Sequence, residues 1–462
     1  MTDLLLVLSF IGFLAIGVLS PFVLGLGYVW VDMFSPNRIS DSLLQTVPVA
    51  LIMAVAAIGA YVAMDRNAPP RPSPLILMMV LLAGWITLTT SWAAAPVQAE
   101  MKWDPSFKTI LFAVFLPFIF RTRIQIEAFL LVMIFASSVH IIPWGLKVIV
   151  SGGGYGRSLG QLGSNQFFLS ESSAVAATCF TFVPLLLLYA RGTILLPRRR
   201  WVALGFYAMA GLYGLGAVGT FARVALVGAA VAFAGLWIQA KRKTWFTVAA
   251  VVTVLVMGAF TTNQWADRIA TTAEFQTENS AATRVAVWKW AWAYAQDNPL
   301  GGGFNCFVFN RIETQTLDPL NPTVQFGRAF HNIYFATLAE HGYPGLLIYG
   351  SILALALYTF GRTRRLLKDH PEHGWASDLA AAGRLALLVF MACANFIDVS
   401  YNPMLWNLIG LALCLQEYTR RALASVPVRV GQTEDEFMRR RPLLPASPAP
   451  VPAASKIAAR LT

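Results

Sequence analysis

Two arginines and a histidine sit where an anion could be held while a hydroxyl attacks. Arg223 follows GTFA at the start of an apolar run. Arg284 lies in the Trp-rich stretch AATRVAVWKWAWAYAQD, and His331 opens HNIYFATLAEHGYPG. A guanidinium keeps its charge at any working pH, and its planar fork meets phosphate oxygens two at a time. An imidazole, with an ordinary pKa of about 6.5, is largely neutral at pH 7 and can take a proton from a hydroxyl. Each residue alone has a plainer reading: Arg223 as a snorkelling cation, Arg284 as a solvated charge one turn from Trp288, His331 as a cap or packing residue. Arg223, however, has only Phe221, Ala222, Val224 and Ala225 around it and no local acid. Taken together, the three fit one task, which is to hold an anionic lipid diphosphate and activate an attacking alcohol. No carboxylate cluster suited to a catalytic metal is visible, so no metal or cofactor is expected.

The remaining candidates are weaker. Trp288, Trp290, Trp292 and Tyr294 form either a sugar-stacking face or an interfacial anchor, and the anchor is favoured because Trp prefers that depth. His341 is close enough to His331 to compete for the base role, but it follows Glu340 at a helix break and reads as structural. His370 and His373 fall in a loop and His140 in an apolar run. The four cysteines (Cys179, Cys306, Cys393, Cys414) form no CxxC or Cys/His pair, so neither disulfides nor zinc are supported.

The elements that must position these residues follow from composition. The chain has 462 residues, 57% hydrophobic and only 13% charged, against roughly 25% charge in a soluble globular protein. A bilayer-spanning helix needs about 20 apolar residues. Apolar runs occur near 4–22, 46–64, 74–92, 105–120, 125–144, 167–190, 201–218, 221–240, 244–262, 343–360, 379–397 and 401–417. These predict an all-α polytopic membrane protein with about twelve transmembrane helices, and they exclude a soluble enzyme, a disordered regulator and an outer-membrane barrel. MTDLLLVLSF lacks the basic start of a signal peptide and reads as the first span. The aromatics of GLGYVWVDMFSPNR, between the first two runs, suit the headgroup region.

The net charge of +12 reports orientation before partners, and nucleic acid is not among the partners expected. With a cytoplasmic N-terminus, 24 of the 35 Lys and Arg fall on the cytoplasmic side, and the bias recurs at every inner turn. Residues 1–420 then form one transmembrane domain. Within it, residues 263–330 form a large periplasmic loop containing helices, with a helix at 281–297 broken by PLGGGF. Residues 421–462, Pro/Ala-rich and basic, read as a disordered cytoplasmic tail. Cys306 is the only cysteine expected outside a span.

Three segments resemble the O-antigen ligase and polysaccharide polymerase superfamily. GTFARVALVGA is similar to its Thr-Phe-Ser-Arg-Gly segment. ATRVAVWKWAWAYAQDNPLGGGF is similar to its Arg...Trp...Pro-Leu-Gly-Gly-Gly-Phe segment. FHNIYFATLAEHGYPGLL is similar to its His-(Ser/Asn)-x-Tyr...Glu-His-Gly-x-x-Gly-Leu segment. SPFVLGLGYVWVDMFSPNRIS and the GGGF spelling are most similar to the branch of exosortase-A-associated O-glycosylation ligases. The resemblance covers the chain to about residue 420. It departs at Ala222 and Val224, which replace Ser and Gly, and GSNQFFLSESSAVA keeps the family's Asn segment only loosely, at Asn165.

This resemblance implies a bacterial inner-membrane enzyme with its active site facing the periplasm. The implied reaction is a metal-independent, inverting transfer of a glycan from undecaprenyl diphosphate to an acceptor hydroxyl. Arg223 and Arg284 would grip the diphosphate and His331 would activate the acceptor. Lys108, Asn332 and Trp288 would be substrate contacts. The partners implied are the polyprenyl-linked glycan donor, a lipid, protein or glycan acceptor, and membrane lipids. A polymerase joining lipid-linked repeat units would use the same donor and chemistry. A transporter or flippase would show internal repeats and midplane ionisable groups, and no repeat is visible. Glu127, Glu171 and Asp398 lie closer to span ends than to centres. A non-catalytic scaffold of a secretion complex is the remaining reading.

Overall fold

The computed structural model describes residues 2–64, 68–151, 169, 171–244, 246–248, 251, 277–314 and 323–424. Asn165, most of the run at 244–262, the start of the long loop and the tail beyond 424 lie outside them. The chain is mostly helical. Its helices are α1 (Thr2–Gly17), α2 (Pro21–Phe34), the single turn α3 (Pro36–Ile39), α4 (Val49–Met64), α5 (Pro74–Thr90), α6 (Pro96–Ile119) and α7 (Arg123–Ser151). They continue as α8 (Ser172–Ala190), α9 (Arg200–Gly219), α10 (Val224–Gln239), α11 (Thr277–Asp297), α12 (Ile333–Leu366), α13 (Gly374–Cys393) and α14 (Pro403–Ala424). Five stretches, in α7, α8, α9, α12 and α13, are long and apolar enough to cross a membrane. α1, α2, α4, α5 and α10 are apolar but shorter. Leucines and isoleucines on α1, α4, α5 and α9 stay exposed, which suits helices solvated by lipid chains. The architecture is that of a multi-pass helical membrane protein.

The first apolar run is α1, which ends in a turn at Val18–Ser20, and Pro21, which lacks an N–H and has a fixed φ, starts a second helix, α2. α2 turns back along α1, so the Asp3 carboxylate accepts hydrogen bonds from the backbone N–H of Asp41 (2.9 Å), Ser42 (3.0 Å) and Leu43 (3.1 Å). The start of the chain therefore shares a bundle end with residues 41–43, rather than lying opposite them as the one-span reading requires. GLGYVWVDMFSPNR is likewise not interfacial. Leu24 to Val29, Val31 and Met33 are buried, and Tyr28 stacks on Phe112 of α6. The pattern misled because the apolar residues of α2 cover its whole circumference, as in a helix enclosed by others.

The same bundle end carries the long loop. α11 is the helix expected there, but the loop is not purely helical: after the 3-10 turn Cys306–Phe309 comes an antiparallel ladder, β1 (Arg311–Thr314) with β2 (Thr323–Phe326), in register Arg311 to Phe326. The loop has its own small core, in which Val287 and Ala291 of α11 pack with Cys306, Ile312 and Phe330 against Ala336 and Ala339 of α12. Three of the four loop aromatics are spent here. Trp290 and Tyr294 pack on this core, and Trp288 stacks on Phe335 and donates its indole N–H to the Phe330 carbonyl (2.9 Å). Only Trp292 of the four is exposed, so most of the aromatic stretch is committed to packing within the loop.

Cys306 is buried, and burial together with the nearby Glu340 charge pushes its thiol well above the usual range. A thiol held protonated is a poor nucleophile. Impermeant maleimide should therefore leave Cys306 unlabelled until the protein is denatured. Phe309→Cys, at an exposed site, should label in intact spheroplasts, with an N-terminal epitope accessible from the same side. Labelling of Phe309→Cys only after lysis would invert this orientation.

Candidate active site

Arg284 heads an apolar stripe. On α11, Val287, Ala291 and Ala295 are buried and recur at helical spacing, and Arg284 stands one turn earlier on that face. Opposite α11 runs the segment after β2, which is fixed at several points. Asn310, fully buried, accepts from the Arg328 N–H (2.9 Å) and donates to the Arg328 carbonyl (2.6 Å). Phe330 is buried in the loop core, and Asn332 caps α12 by accepting from the N–H groups of Tyr334 (2.8 Å) and Phe335 (3.1 Å). Between these anchors His331 takes a left-handed backbone, φ 47°, which is uncommon for a non-glycine residue and is held here by its neighbours. Arg284 and His331 thereby line one cavity of about 270 Å³, together with Thr283, Val287, Gln325, Arg328 and Ala329.

Arg223 does not line the cavity but acts on Arg284 electrostatically from α10. Thr220 and Phe221, the latter left-handed at φ 53°, turn the chain so that Arg223 is the exposed N-cap of α10. Burial lowers the pKa of the half-buried Arg284, the charge of Arg223 lowers it further, and Glu171 at the start of α8 opposes both. Among the described residues neither arginine makes an ion pair, and no acid lines the cavity. Like charges that outweigh the one nearby acid make a field suited to an anion.

The loop is seated by the PLGGGF turn and the break in α12. Gly342 has φ 67° and ψ −168°, and Pro344 has no N–H to give the Glu340 carbonyl. The carbonyls of Ala339 and Glu340 thus lose their helical donors, and Gly302 N–H (3.0 Å) and Gly303 N–H (2.8 Å) replace them. The Tyr343 N–H turns to the Pro299 carbonyl (3.0 Å), and the His341 carbonyl takes the Trp85 indole (2.8 Å). Backbone meets backbone so closely that a Cβ at Gly301 (φ 85°) would stand 2.5 Å from the Glu340 carbonyl oxygen, and one on Gly342 would meet the Pro299 carbonyl. Glu340, fully buried, completes the joint by accepting from Lys102 of α6 (2.8 Å) and from the Asn305 N–H (2.9 Å), while Lys102 also reaches Asp398 (3.3 Å).

Of the residues predicted from sequence, the structure brings Arg284 and His331 into one cavity and sets Arg223 beside it. Asn332 and Trp288 stand next to His331 with their polar groups already engaged, since the Asn332 side-chain amide also donates to Asn395 (3.0 Å). They position the segment. Lys108 does not line the cavity; it pairs with Asp104 one turn earlier on α6 (2.5 Å) at an exposed site. His341 is fully buried beside Phe304 and meets Thr89 through Nδ1 (2.8 Å), away from the cavity lining. Sequence reasoning missed Arg328 and the Lys102–Glu340–Asp398 cluster. Arg328 stands three residues before His331, a spacing that could have flagged it. The cluster joins residues up to 296 positions apart, and nothing local signals it.

A helical membrane bundle with a cationic, histidine-containing cavity within a folded loop is the class of protein defined so far. Residues 208–350, which hold Arg223, Arg284, His331 and the Glu340–Gly342 break, match the O-Antigen ligase family model. Residues 1–193 match a family of unknown function, DUF5935. A comparison with curated proteins gives no match. The matched domain supports placement in the O-antigen ligase superfamily and a glycosyltransferase-type membrane enzyme, ligase or polymerase, whose partners are in general a lipid-linked glycan and an acceptor.

The joint yields a stability prediction. Gly301→Ala and Gly342→Ala each force a left-handed backbone and a backbone clash, and each should cost about 2 kcal/mol or more. Thermal unfolding of the detergent-solubilised protein should show a lowered midpoint for both. Gly350→Ala, where a Cβ meets nothing within 4 Å, serves as the control. Equal midpoints for all three would remove the close approach as the reason for these glycines.

Proposed function

We propose that the chain transfers a glycan from undecaprenyl diphosphate to an acceptor hydroxyl at the periplasmic face of the bacterial inner membrane, in the manner of an O-antigen ligase. The basic bias of the opposite loops supports that orientation. The N-terminal segment and the GGGF turn favour the exosortase-A-associated branch. The observation that carries the reading is the cavity lined by both Arg284 and His331, with the charge of Arg223 acting on it from α10.

His331 takes the proton of the acceptor hydroxyl as its oxygen forms a bond to the anomeric carbon. The bond from that carbon to the diphosphate oxygen breaks, and undecaprenyl diphosphate leaves with the electron pair. Attack from the side opposite the leaving group inverts the anomeric centre. Arg284 and Arg223 neutralise the charge that grows on the diphosphate, so the transition state is held more tightly than the ground state. These guanidiniums supply the charge that a metal ion supplies in other glycosyl transferases. Donor and acceptor confined to one membrane face gain further from proximity.

Deletion should leave the polymerised glycan on its lipid carrier. Accumulation of single repeats would instead identify a polymerase. In a transfer assay with purified protein, Arg223→Ala and Arg284→Ala should lower turnover by about ten- to a thousandfold, with Lys only a partial substitute. Undiminished turnover in either variant would release that arginine from the site. His331→Ala should cost about a hundred- to ten-thousandfold, and His331→Gln nearly as much. A His331→Gln enzyme that stays active would show that this histidine only orients its substrate.

A further inference from the structure

Arg284 is not the only guanidinium on the cavity wall. Arg328 lines it as well, from the segment that carries His331, and although exposed it is held at its backbone and at Nε. Its backbone is gripped on both sides by the buried Asn310 amide, and the preceding Gly327 N–H donates to the Asn310 carbonyl (3.2 Å). The Arg328 Nε–H donates to Gln325 Oε1 at 2.6 Å. That bond uses the one N–H outside the terminal fork and leaves the two amino groups side by side. Among the described residues these two groups meet no acceptor. A guanidinium already held at its Nε loses less freedom on binding, and its free edge matches two oxygens of one phosphate or carboxylate.

The cations divide by the element that bears them. Arg284 is on α11, with Arg223 on the neighbouring α10 acting on it. Arg328 and His331 lie three residues apart on the opposite wall. Whatever His331 deprotonates belongs to the acceptor, so an anion seated at Arg328 is carried by the molecule His331 serves. We propose that Arg328, oriented by Gln325 and Asn310, forms a second anion subsite, separate from the diphosphate grip, which recognises a phosphate or carboxylate on the acceptor near the attacking hydroxyl. The inference rests on the transfer reading above.

The test uses full-length protein in nanodiscs, with undecaprenyl diphosphate as the donor probe and inorganic phosphate as the probe for the acceptor's anion. Titration calorimetry measures phosphate binding with the lipid absent and with it saturating. Phosphate should bind alongside the lipid. Arg328→Gln should weaken phosphate by about tenfold or more and change lipid affinity by less than about twofold, with Arg328→Lys in between, while Arg284→Gln should do the reverse. Phosphate that binds wild type and Arg328→Gln equally, or does not bind wild type, overturns the subsite. So does competition between phosphate and the lipid, or a larger loss of lipid than of phosphate affinity in Arg328→Gln, since either assigns Arg328 to the donor. If wild type binds no undecaprenyl diphosphate, the donor reading fails on its own, and Arg328-dependent phosphate binding to the empty protein still reports the subsite.

Discussion

The seating of the Gly-rich turn on the broken α12 holds the rest of the site in place. A helix interrupted at Gly342 and Pro344 exposes carbonyls that would be costly to bury unpaired. The turn at 299–303 supplies the missing donors and in return has its own backbone fixed. The direction in which α11 enters the turn follows from this exchange, and with it the height at which Arg284 stands. Glu340 extends the joint to α6 through Lys102 and to the start of α14 through Asp398. Three distant parts of the chain thus converge on one buried carboxylate. A buried carboxylate tolerates little loosening, because losing a partner leaves a charge unsolvated.

Above that joint the physics reverses. At the joint, Lys102 answers both Glu340 and Asp398; in the cavity, no acid is among the described lining residues, and a histidine sits in a backbone conformation it would not choose alone. The folded loop offsets this with the apolar contacts of Val287, Ala291, Phe330 and Ala336 and with the Asn310 and Asn332 amides. Stability is concentrated a few ångströms from where it is given up. Such a division is common where a protein must meet charge that arrives only with its ligand.

Most of the bundle was legible because membrane helices declare themselves by length and apolarity, and ten of the twelve apolar runs each coincide with one helix. Where hydropathy and aromatic content are the only signals, a buried helix rich in aromatics resembles an interfacial stretch, which is why α2 does not read as a helix. Arg223, Arg284 and His331 were legible as residue types in suggestive places. Their convergence depends on a left-handed Phe221, on the stripe of α11 and on the β1–β2 ladder, and only the stripe leaves a trace in sequence. The packing of the aromatic stretch was not legible because Trp is equally at home in an interface and in a small core. The Lys102–Glu340–Asp398 cluster is built from sequence-distant partners, which no periodicity reveals.

Sharing a core with α12 also bears on traffic. A loop whose apolar residues and turn donors are committed to the bundle cannot swing aside without exposing Phe330 and Val287 and stripping Ala339 and Glu340 of their hydrogen bonds. It is a fixed roof rather than a door. For the lipid-linked donor proposed above, an approach within the plane of the bilayer would leave this packing intact, and encounter would then be a search in two dimensions.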